Sequence, residues 1–207
     1  LTVAPDQPGA VELIEKVSAE HVVVSMGHHH AESRQLERAV AAGARCCTHL
    51  GNGLPMQIHR HQNPLWWQLA ARRLWGLFIT DGHHLPNEFI AVALHLKTAY
   101  RFIVTSDAAP IAGLPPGTYR AFGTEVVIEP SGRIVNEASQ SLAGSSASML
   151  TCMNHLASLG LLSEEELWQI GVDNPLHLLG RSGRHLGGKT GPCVRYAAEE
   201  QRFVLVP

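Results

Sequence analysis

The sequence predicts an α/β fold in which a parallel sheet is covered by helices. Four strand-like segments alternate with helix-like segments between residues 21 and 107. The strand-like segments are short apolar runs rich in β-branched residues, as in strands buried on both faces. The chain has 207 residues, 45% of them hydrophobic, which is enough to bury a substantial core. Strand-then-helix units in succession indicate a parallel sheet with helices outside it.

The period of the apolar residues defines each element up to residue 107. The predicted elements alternate: helix 11–18, strand 21–27, helix 31–43, strand 45–50, helix 64–73, strand 75–82, helix 86–97 and strand 101–107. Gly43 suits the end of the second helix, and Pro64 suits the first position of the third. Trp66 and Trp67 are expected to pack the third helix against the sheet. The fourth helix presents one apolar face, formed by Phe89, Ile90, Ala93 and Leu96.

After residue 108 the alternation ends. Residues 117–135 predict a β-hairpin whose turn is the Pro-Ser-Gly at 130–132. Residues 145–160 have an amphipathic helical period, and Ser163 and Glu166 have capping-box spacing at the start of the next helix. The tail from residue 195 predicts a hairpin arm of a separate small β-element.

Composition and charge exclude several classes of function. The net charge of -2 and the pI of about 6.7 show no basic excess, so nucleic-acid binding is not expected. No apolar run reaches the ~18 residues of a membrane span, and no signal peptide opens the chain, so a cytoplasmic protein without membrane contact is expected. The cysteines at 46, 47, 152 and 193 have no CxxC spacing and are expected to be buried free thiols.

Histidines and aspartates follow the predicted strands at their carboxyl ends. The positions are His28 after the first strand, His49 after the second, Asp81 with His83 and His84 after the third, and Asp107 after the fourth. In a closed parallel barrel these ends form one rim, so residues far apart in sequence can meet in one site. A single such histidine is more often a satisfied polar group than a ligand. Two with a strand-end aspartate favour a metal site, because imidazole binds Zn²⁺ and a carboxylate can take a proton from a metal-activated water.

The sequence leaves some of these assignments open. Among the three adjacent histidines, His28 is preferred as the ligand, because Gly27 permits a tight exit from the strand. His29 and His30 are assigned to the surroundings of the site or to the start of the next helix. Arg60 offers a planar fork suited to a phosphate or a carboxylate, and the alternative is a solvated loop residue.

Six motifs in order carry a family resemblance: GHHHAE, THLGNGLP, ITDGHHLP, TSDAAPIAGLPPGTY, LAGSS and NPLHLLG. Together they resemble the N-acetylglucosamine-6-phosphate deacetylase family of the amidohydrolase superfamily, from residue 1 to about residue 190. The resemblance implies a TIM-barrel metal-dependent hydrolase, with the second half of the barrel and part of a small β-sandwich in this chain. It implies a barrel portion at 1–180 with a hairpin inserted at about 117–135, and part of the small β domain at 181–207.

The resemblance also implies roles for individual residues. His28 and His49 match two metal ligands, and Asp107 matches the catalytic aspartate, which activates the water and protonates the leaving amine. The implied substrate-binding residues are His84, Asn52, Gly53, Arg60, Leu142 and Gly144. Arg60 matches an arginine that reaches the phosphate from the neighbouring subunit of a homodimer, and Leu142 to Ser145 match a loop that closes over the acetyl group. A glutamate on an earlier strand is the third metal ligand of the family.

The implied reaction is hydrolysis of the acetamide of N-acetylglucosamine 6-phosphate to glucosamine 6-phosphate and acetate. The implied cofactor is a divalent metal with Zn²⁺ as the default, and Fe²⁺, Co²⁺ or Mn²⁺ as alternatives. Where the family's loop reads HLYNAM this chain has HLGNGL, and RHQNPLWW replaces a shorter Arg-Glu-Pro-Gly stretch. Because these departures concern substrate contacts, an amidohydrolase for a different N-acyl sugar or an unphosphorylated substrate stays open as an alternative. Because the family's glutamate ligand is absent from the sequence, an inactive homologue that binds a sugar phosphate also stays open.

Overall fold

The computed structural model describes residues 1–183 and 191–206. The chain divides into two compact units. Unit 1 comprises Leu1–Phe78, Ala91–Ile103 and Trp168–Gly187, and unit 2 comprises Ile79–Ile90, Val104–Leu167 and Gly188–Pro207.

Five strands form one sheet in the order β1-β2-β3-β4-β5. Their bounds are β1 Thr2–Val3, β2 Val24–Met26, β3 Ala44–Cys47, β4 Trp75–Ile79 and β5 Phe102–Thr105. The pairs β1 with β2, β2 with β3, and β3 with β4 are parallel. Spatial order therefore follows sequence order, as in an arc of a (β/α) barrel. The predicted α/β alternation is confirmed, and among these five strands the two-residue β1 is the one without a counterpart in the sequence prediction.

Helices connect these strands, and the second and third of them begin at side-chain caps. Their bounds are α1 Ala10–Ala19, α2 Ser33–Ala41, α3 Pro64–Ala70 and α4 Asn87–Arg101. The side chain of Asn63 accepts a hydrogen bond from Trp66 N at 3.1 Å, and Pro64 occupies the first turn of α3 as predicted. In the described part of the chain, no helix combines the length and the apolarity that crossing a bilayer requires.

The buried face of α4 differs from the prediction. Ile90 and Ala93 are fully buried, but Leu96 is 37% exposed and Lys97 is only 2% exposed. The Lys97 ammonium is satisfied by three backbone carbonyls at the end of α3, those of Gln68, Ala71 and Leu74, at 2.5, 2.8 and 3.3 Å. Burial lowers the pKa of Lys97 to about 8. A hydrophobic pattern misses this position because the partners of the charge are backbone atoms.

Unit 2 contains a four-stranded antiparallel sheet in the order β6-β7-β8-β9. Its strands are β6 Gly117–Ala121, β7 Thr124–Ile128, β8 Arg133–Asn136 and β9 Ser141–Ser145. The Pro-Ser-Gly turn joins β7 to β8, as predicted. A second turn at Phe122 and Gly123, with φ of 53° and 78°, divides the first strand of the predicted hairpin. Positive φ at both residues of a two-residue turn is the type I′ geometry of tight hairpins.

The remaining elements are α5 Met149–Ser158, α6 Glu164–Trp168, a π-helical turn Gln169–Asp173, α7 Asn174–Leu178, β10 Cys193–Ala197 and β11 Arg202–Val206. The capping box before α6 is confirmed: Ser163 N donates to Glu166 Oε2 at 2.9 Å, and Glu166 N donates to Ser163 Oγ at 3.3 Å. The strands β10 and β11 form the antiparallel hairpin predicted for the tail. The domain boundary expected near residue 180 stays a prediction, and residues 184–190 and 207 lie outside the described part.

All four cysteines are free. Cys46, Cys47 and Cys152 are buried as predicted, whereas Cys193 is exposed. The expectation is wrong for Cys193 because it begins β10, a strand of a two-stranded sheet with an exposed face. Burial raises the pKa of Cys47 and of Cys152 to about 12. Both thiols therefore stay protonated near neutral pH, which makes them poor metal ligands and poor nucleophiles.

Candidate active site

The two histidines predicted as metal ligands come together. His28 and His49 each lie two residues beyond the end of a strand, and the register of β2 with β3 pairs Met26 with Cys47. This pairing places both histidines at the same edge of the sheet. Their Nε2 atoms are 2.8 Å apart, and the two rings are perpendicular with centroids 4.5 Å apart.

The backbone at these histidines is held in an unusual conformation. His28 has φ 55° and His49 has φ 30°, values that cost non-glycine residues free energy unless the surroundings fix them. Gly27, expected to supply the tight exit, does not carry the positive φ itself. Gly27 instead allows the backbone to lie close to Thr48, because a Cβ on Gly27 would lie 2.7 Å from Thr48 Cβ. The absence of a side chain at Gly27 therefore lets the two strand ends lie against each other.

The pair fits a divalent cation as two of its ligands. Zn–N bonds of about 2.0–2.1 Å place two ligand nitrogens about 3.4 Å apart in a tetrahedral arrangement, within a small ring rotation of the observed 2.8 Å. A cavity of about 10 Å³, roughly the size that holds one water molecule, is lined by His28, Asn52 and Gly53 among others. Within residues 1–183 and 191–206, no group of three or more His, Cys, Asp or Glu side chains could hold a metal. By itself the pair could supply only two ligands of a metal site.

His29 and His30 have separate roles beside the pair. His29 is buried, and burial lowers its pKa, opposed by the nearby Asp6 carboxylate and a hydrogen bond with the Gln68 side chain. It therefore supports the strand exit as a neutral ring. His30 is exposed, and its backbone N–H donates to Asp6 Oδ2 at 2.8 Å. Because α2 begins at Ser33, neither histidine starts that helix.

The loop after β3 presses against the histidine pair. Asn52 N donates to His49 O at 2.8 Å, and the following Gly53 has φ 67°. A Cβ on Gly53 would lie 2.8 Å from His49 Cε1 and 3.4 Å from His28 Nδ1. The Asn52 amide nitrogen is buried and, within the described residues, has no hydrogen-bond partner. A buried donor of this kind marks a place where a ligand or water can bind.

In unit 2, the predicted substrate residue His84 is held by a buried carboxylate. His84 Nδ1 is 2.8 Å from Asp81 Oδ2, and Ser145 Oγ donates to the same oxygen at 2.8 Å. The other oxygen, Asp81 Oδ1, accepts the backbone N–H groups of His83 and His84 at 2.9 and 3.0 Å. Burial acts to raise the pKa of Asp81, but these hydrogen bonds outweigh burial and hold it well below its usual range.

The predicted catalytic residue Asp107 follows β5 by two residues and is exposed in this chain. Its φ is 49°, and its backbone carbonyl accepts Ser145 N at 2.9 Å. Ser145 O in turn accepts Ala109 N at 2.8 Å, so Ser145 bridges the segment after β5. A Cβ on Gly144, φ 69°, would lie 3.2 Å from Asp107 O. Gly144 is therefore placed beside the aspartate backbone.

Leu142 and Gly144, expected in a loop over the acetyl group, lie in strand β9 instead. This segment forms a strand because Leu142 pairs with Val135 on β8. The backbone of the segment is thereby committed to a sheet. Their substrate contacts stay a prediction.

Arg60 lies in the long loop before α3 and is exposed. Its guanidinium makes no hydrogen bond or ion pair to residues 1–183 or 191–206, while its carbonyl accepts Trp66 Nε1 at 2.9 Å. The expected burial of both tryptophans is wrong for Trp66, which is 50% exposed. Trp66 and Trp67 line a cavity of about 780 Å³ with His30 and His61. The hydrogen bond to Arg60 O holds Trp66 toward this loop instead of toward the core.

The predicted site residues therefore fall into two groups, one in each unit. His28, His49, Asn52, Gly53 and Arg60 lie in unit 1, and His84, Asp107, Leu142 and Gly144 lie in unit 2. The sequence placed Asp81 among the strand-end residues and Ser145 in the segment over the acetyl group, but it gave neither side chain a role of its own. The signal for Asp81 is the DGHH motif, since an aspartate that accepts the backbone N–H groups two and three residues later is a common turn device.

Comparison with known proteins finds relatives in the family that the sequence motifs resemble. No protein-family model matches the chain. The chain is 30% identical over 183 residues to an N-acetylgalactosamine-6-phosphate deacetylase of Escherichia coli O157:H7, covering 88% of this chain and 48% of the relative. It is 29% identical over 197 residues to an N-acetylglucosamine-6-phosphate deacetylase of Bacillus subtilis, covering 94% and 49%. The chain thus spans about half the length of the curated relatives it matches.

Solved structures give the same result for the fold. The N-acetylglucosamine-6-phosphate deacetylase of Thermotoga maritima matches 99% of this chain and 56% of its own, with a TM-score of 0.84 and 26% identity. The enzyme of Mycobacterium smegmatis matches 87% and 48%, with a TM-score of 0.78 and 25% identity. The resemblance is confirmed: over most of its length this chain is similar to the N-acetylglucosamine-6-phosphate deacetylases. Its α/β fold corresponds to about half of the TIM-barrel structure of such an enzyme.

Proposed function

We propose that this protein is a metal-dependent hydrolase that removes the acetyl group from N-acetylglucosamine 6-phosphate. The observation that carries the proposal is the convergence of His28 and His49, whose Nε2 atoms lie 2.8 Å apart at the edge of a parallel sheet. Two imidazoles in this arrangement suit a divalent cation. The similarity to deacetylases named for this substrate supports the same reaction.

His28 and His49 would hold the metal in this chain, with further ligands from outside the described residues. When bound, a divalent metal polarises the amide carbonyl and lowers the pKa of a water molecule toward about 7. Zn²⁺ is the default because neutral imidazole is one of its ordinary ligands, and Fe²⁺, Co²⁺ or Mn²⁺ are the alternatives.

Asp107 carries the proton in the proposed reaction. Water adds to the carbonyl carbon of the acetamide, the C–N bond breaks, and the products are acetate and glucosamine 6-phosphate. Asp107 takes a proton from the attacking water and delivers it to the departing nitrogen. General acid-base catalysis of this kind contributes roughly 10²- to 10⁴-fold.

The remaining residues hold the substrate. His84 offers its ring Nε2, and Asn52 offers a buried amide donor that within the described residues has no partner. Arg60 is assigned to the 6-phosphate, which a guanidinium can bind with two parallel hydrogen bonds. Gly53, Leu142 and Gly144 are assigned to the walls of the site. The exposed position of Arg60 supports the homodimer implied by the resemblance, in which it serves the neighbouring subunit. The cytoplasmic location likewise stays a prediction.

A second sugar phosphate has support of its own. The 30% identical relative from Escherichia coli O157:H7 is named for N-acetylgalactosamine 6-phosphate, which differs only at one hydroxyl. The HLGNGL and RHQNPLWW departures lie in segments assigned to substrate contact. The substrate class proposed is therefore an N-acetylhexosamine 6-phosphate, with the gluco epimer as the expected preference.

A substrate panel tests the proposal directly. The purified protein would be assayed for acetate release from the gluco and galacto 6-phosphates and from N-acetylglucosamine. We expect the two phosphates to be hydrolysed and the kcat/KM of the neutral sugar to be roughly 10- to 150-fold lower, since one charged contact is worth about 1.5–3 kcal/mol. Equal rates with the neutral sugar would contradict the phosphate assignment. Absence of turnover with all three in metal-loaded protein would favour the inactive homologue.

A further inference from the structure

The buried carboxylate of Asp81, in unit 2, has four hydrogen-bond donors. Two of them are backbone N–H groups on Oδ1, and the other two, His84 Nδ1 and Ser145 Oγ, share Oδ2. The side chain of Asp81 is 2% exposed and that of His84 is 6% exposed. A carboxylate with four donors can only accept, so the proton shared with His84 lies on the imidazole Nδ1.

Both the hydroxyl and the backbone of Ser145 take part in the same hydrogen-bond network. Its hydroxyl donates to Asp81 Oδ2 at 2.8 Å and accepts the backbone N–H of Ala147 at 3.0 Å. Its backbone N–H donates to Asp107 O at 2.9 Å. One residue therefore connects the carboxylate that holds His84 to the backbone of the aspartate assigned to catalysis.

We propose that Asp81 and Ser145 are positioning residues that fix the tautomer and orientation of His84 and tie that ring to the Asp107 backbone. With Nδ1–H donated to Asp81, Nε2 is the ring atom left for a substrate. Within residues 1–183 and 191–206, Nε2 of His84 takes part in no hydrogen bond. The proposal rests on the proposed function only for its effect on turnover, and the state of the ring can be measured without substrate.

The decisive variant is Asp81→Asn. The two backbone donors keep the amide oxygen at the Oδ1 position, which places the amide NH₂ against His84 Nδ1. An NH₂ cannot accept, so the ring must carry its proton on Nε2, the same tautomer inversion that follows an Asp-to-Asn change in a serine-protease triad. Asp173→Asn is the matched control, because it makes the same change at an exposed carboxylate of unit 1.

The ring state is read by ¹⁵N NMR of protein labelled at histidine, with His84 assigned from the signal lost in His84→Gln. We expect a protonated Nδ1 in the wild type and in Asp173→Asn, and a protonated Nε2 in Asp81→Asn. Ser145→Ala is expected to keep the wild-type tautomer while broadening the signal, because Asp81 loses one of its four donors. A wild-type ring with its proton on Nε2 would overturn the proposal even if the deacetylase assignment is right.

Kinetics give the second readout. Asp81→Asn should lower kcat/KM for the sugar phosphate by about 10- to 100-fold, as expected when a charge-assisted hydrogen bond is lost. Because Asp81 acts through His84, adding Asp81→Asn to His84→Ala should cost less than twofold more. Full additivity of the two effects in folded protein would refute the positioning role. If the wild type has no deacetylase activity, the proposed function fails while the NMR result still decides this proposal.

Discussion

Gly53 lies so close to His49 that a side-chain carbon at position 53 would come within 2.8 Å of the imidazole Cε1. The loop that carries Gly53 therefore packs directly on one of the two histidines assigned to the metal. The contact couples loop conformation to imidazole position, and the effect of a single methyl group can be measured.

Gly53→Ala should weaken divalent-metal binding by tenfold or more, since the added carbon displaces a ring that must be placed to a few tenths of an ångström. Positive φ adds about 1 kcal/mol of strain to the folded state. Gly9→Ala is the control, because Gly9 has φ 77° and open space around it. Isothermal titration with Zn²⁺ and denaturant unfolding separate the two effects. Equal metal affinity in both variants would show that the loop does not constrain His49.

Asp107→Asn should leave metal binding largely intact and reduce kcat by about 10²- to 10⁴-fold, because the amide cannot take the proton from water. Acetate release and metal content would be measured on the same preparation. Asp173→Asn, at an exposed site, should keep wild-type kinetics. Near-normal turnover in Asp107→Asn would remove this residue from the proposed mechanism.

The ionisation of Asp81 should contribute to the pH dependence of the free energy of unfolding at acidic pH. Its folded-state pKa is lowered, so its contribution is present above the pKa of the unfolded carboxyl, about 3.9, and is lost as pH falls below that value. Urea unfolding from pH 6 to pH 3 should show a steeper loss of stability in the wild type than in Asp81→Asn. Parallel curves for the two proteins would contradict the hydrogen bonds assigned to the carboxylate.

Lys97 should act in the opposite pH range. Burial lowers its folded-state pKa to about 8, so between pH 8 and the unfolded value of about 10.4 the unfolded chain binds more protons and the contribution of Lys97 to stability rises with pH. Lys97→Met should remove this rise and destabilise the protein by about 3 kcal/mol at neutral pH, because three carbonyls at the end of α3 lose their donor. Lys16→Met, at an exposed residue, should change neither quantity. An unchanged pH dependence in Lys97→Met would contradict the assignment.

These residues also show how far the sequence alone leads. The strand–helix alternation and the histidine pair follow from it because apolar periodicity and strand-end position are local properties. The burial of Lys97 does not follow from the sequence, because it depends on carbonyls at the end of another helix. The turn at Phe122 was missed because Phe is an uncommon residue at positive φ.

The substrate side of the site shows the same limit. His84 was found from its motif, but the contact of Ser145 with Asp81 spans 64 residues of sequence and no local pattern reports it. Leu142 and Gly144 were expected in a loop because the LAGSS segment resembles a family loop that closes over the acetyl group. Their pairing with β8 places them in a strand instead. A long-range hydrogen bond accounts for the first difference, and the pairing of β9 with β8 accounts for the second.

The most direct test of the central claim is the metal affinity of His28→Ala and His49→Ala. Each protein would be stripped with a chelator and titrated with Zn²⁺, with His95→Ala, an exposed histidine on α4, as the control. A shared site predicts that the wild type and His95→Ala bind Zn²⁺ with the same affinity. His28→Ala and His49→Ala should each lose tenfold or more in Zn²⁺ affinity. The double variant of these two histidines should lose little more than the weaker-binding single variant. Wild-type affinity in both His28→Ala and His49→Ala would contradict the metal centre.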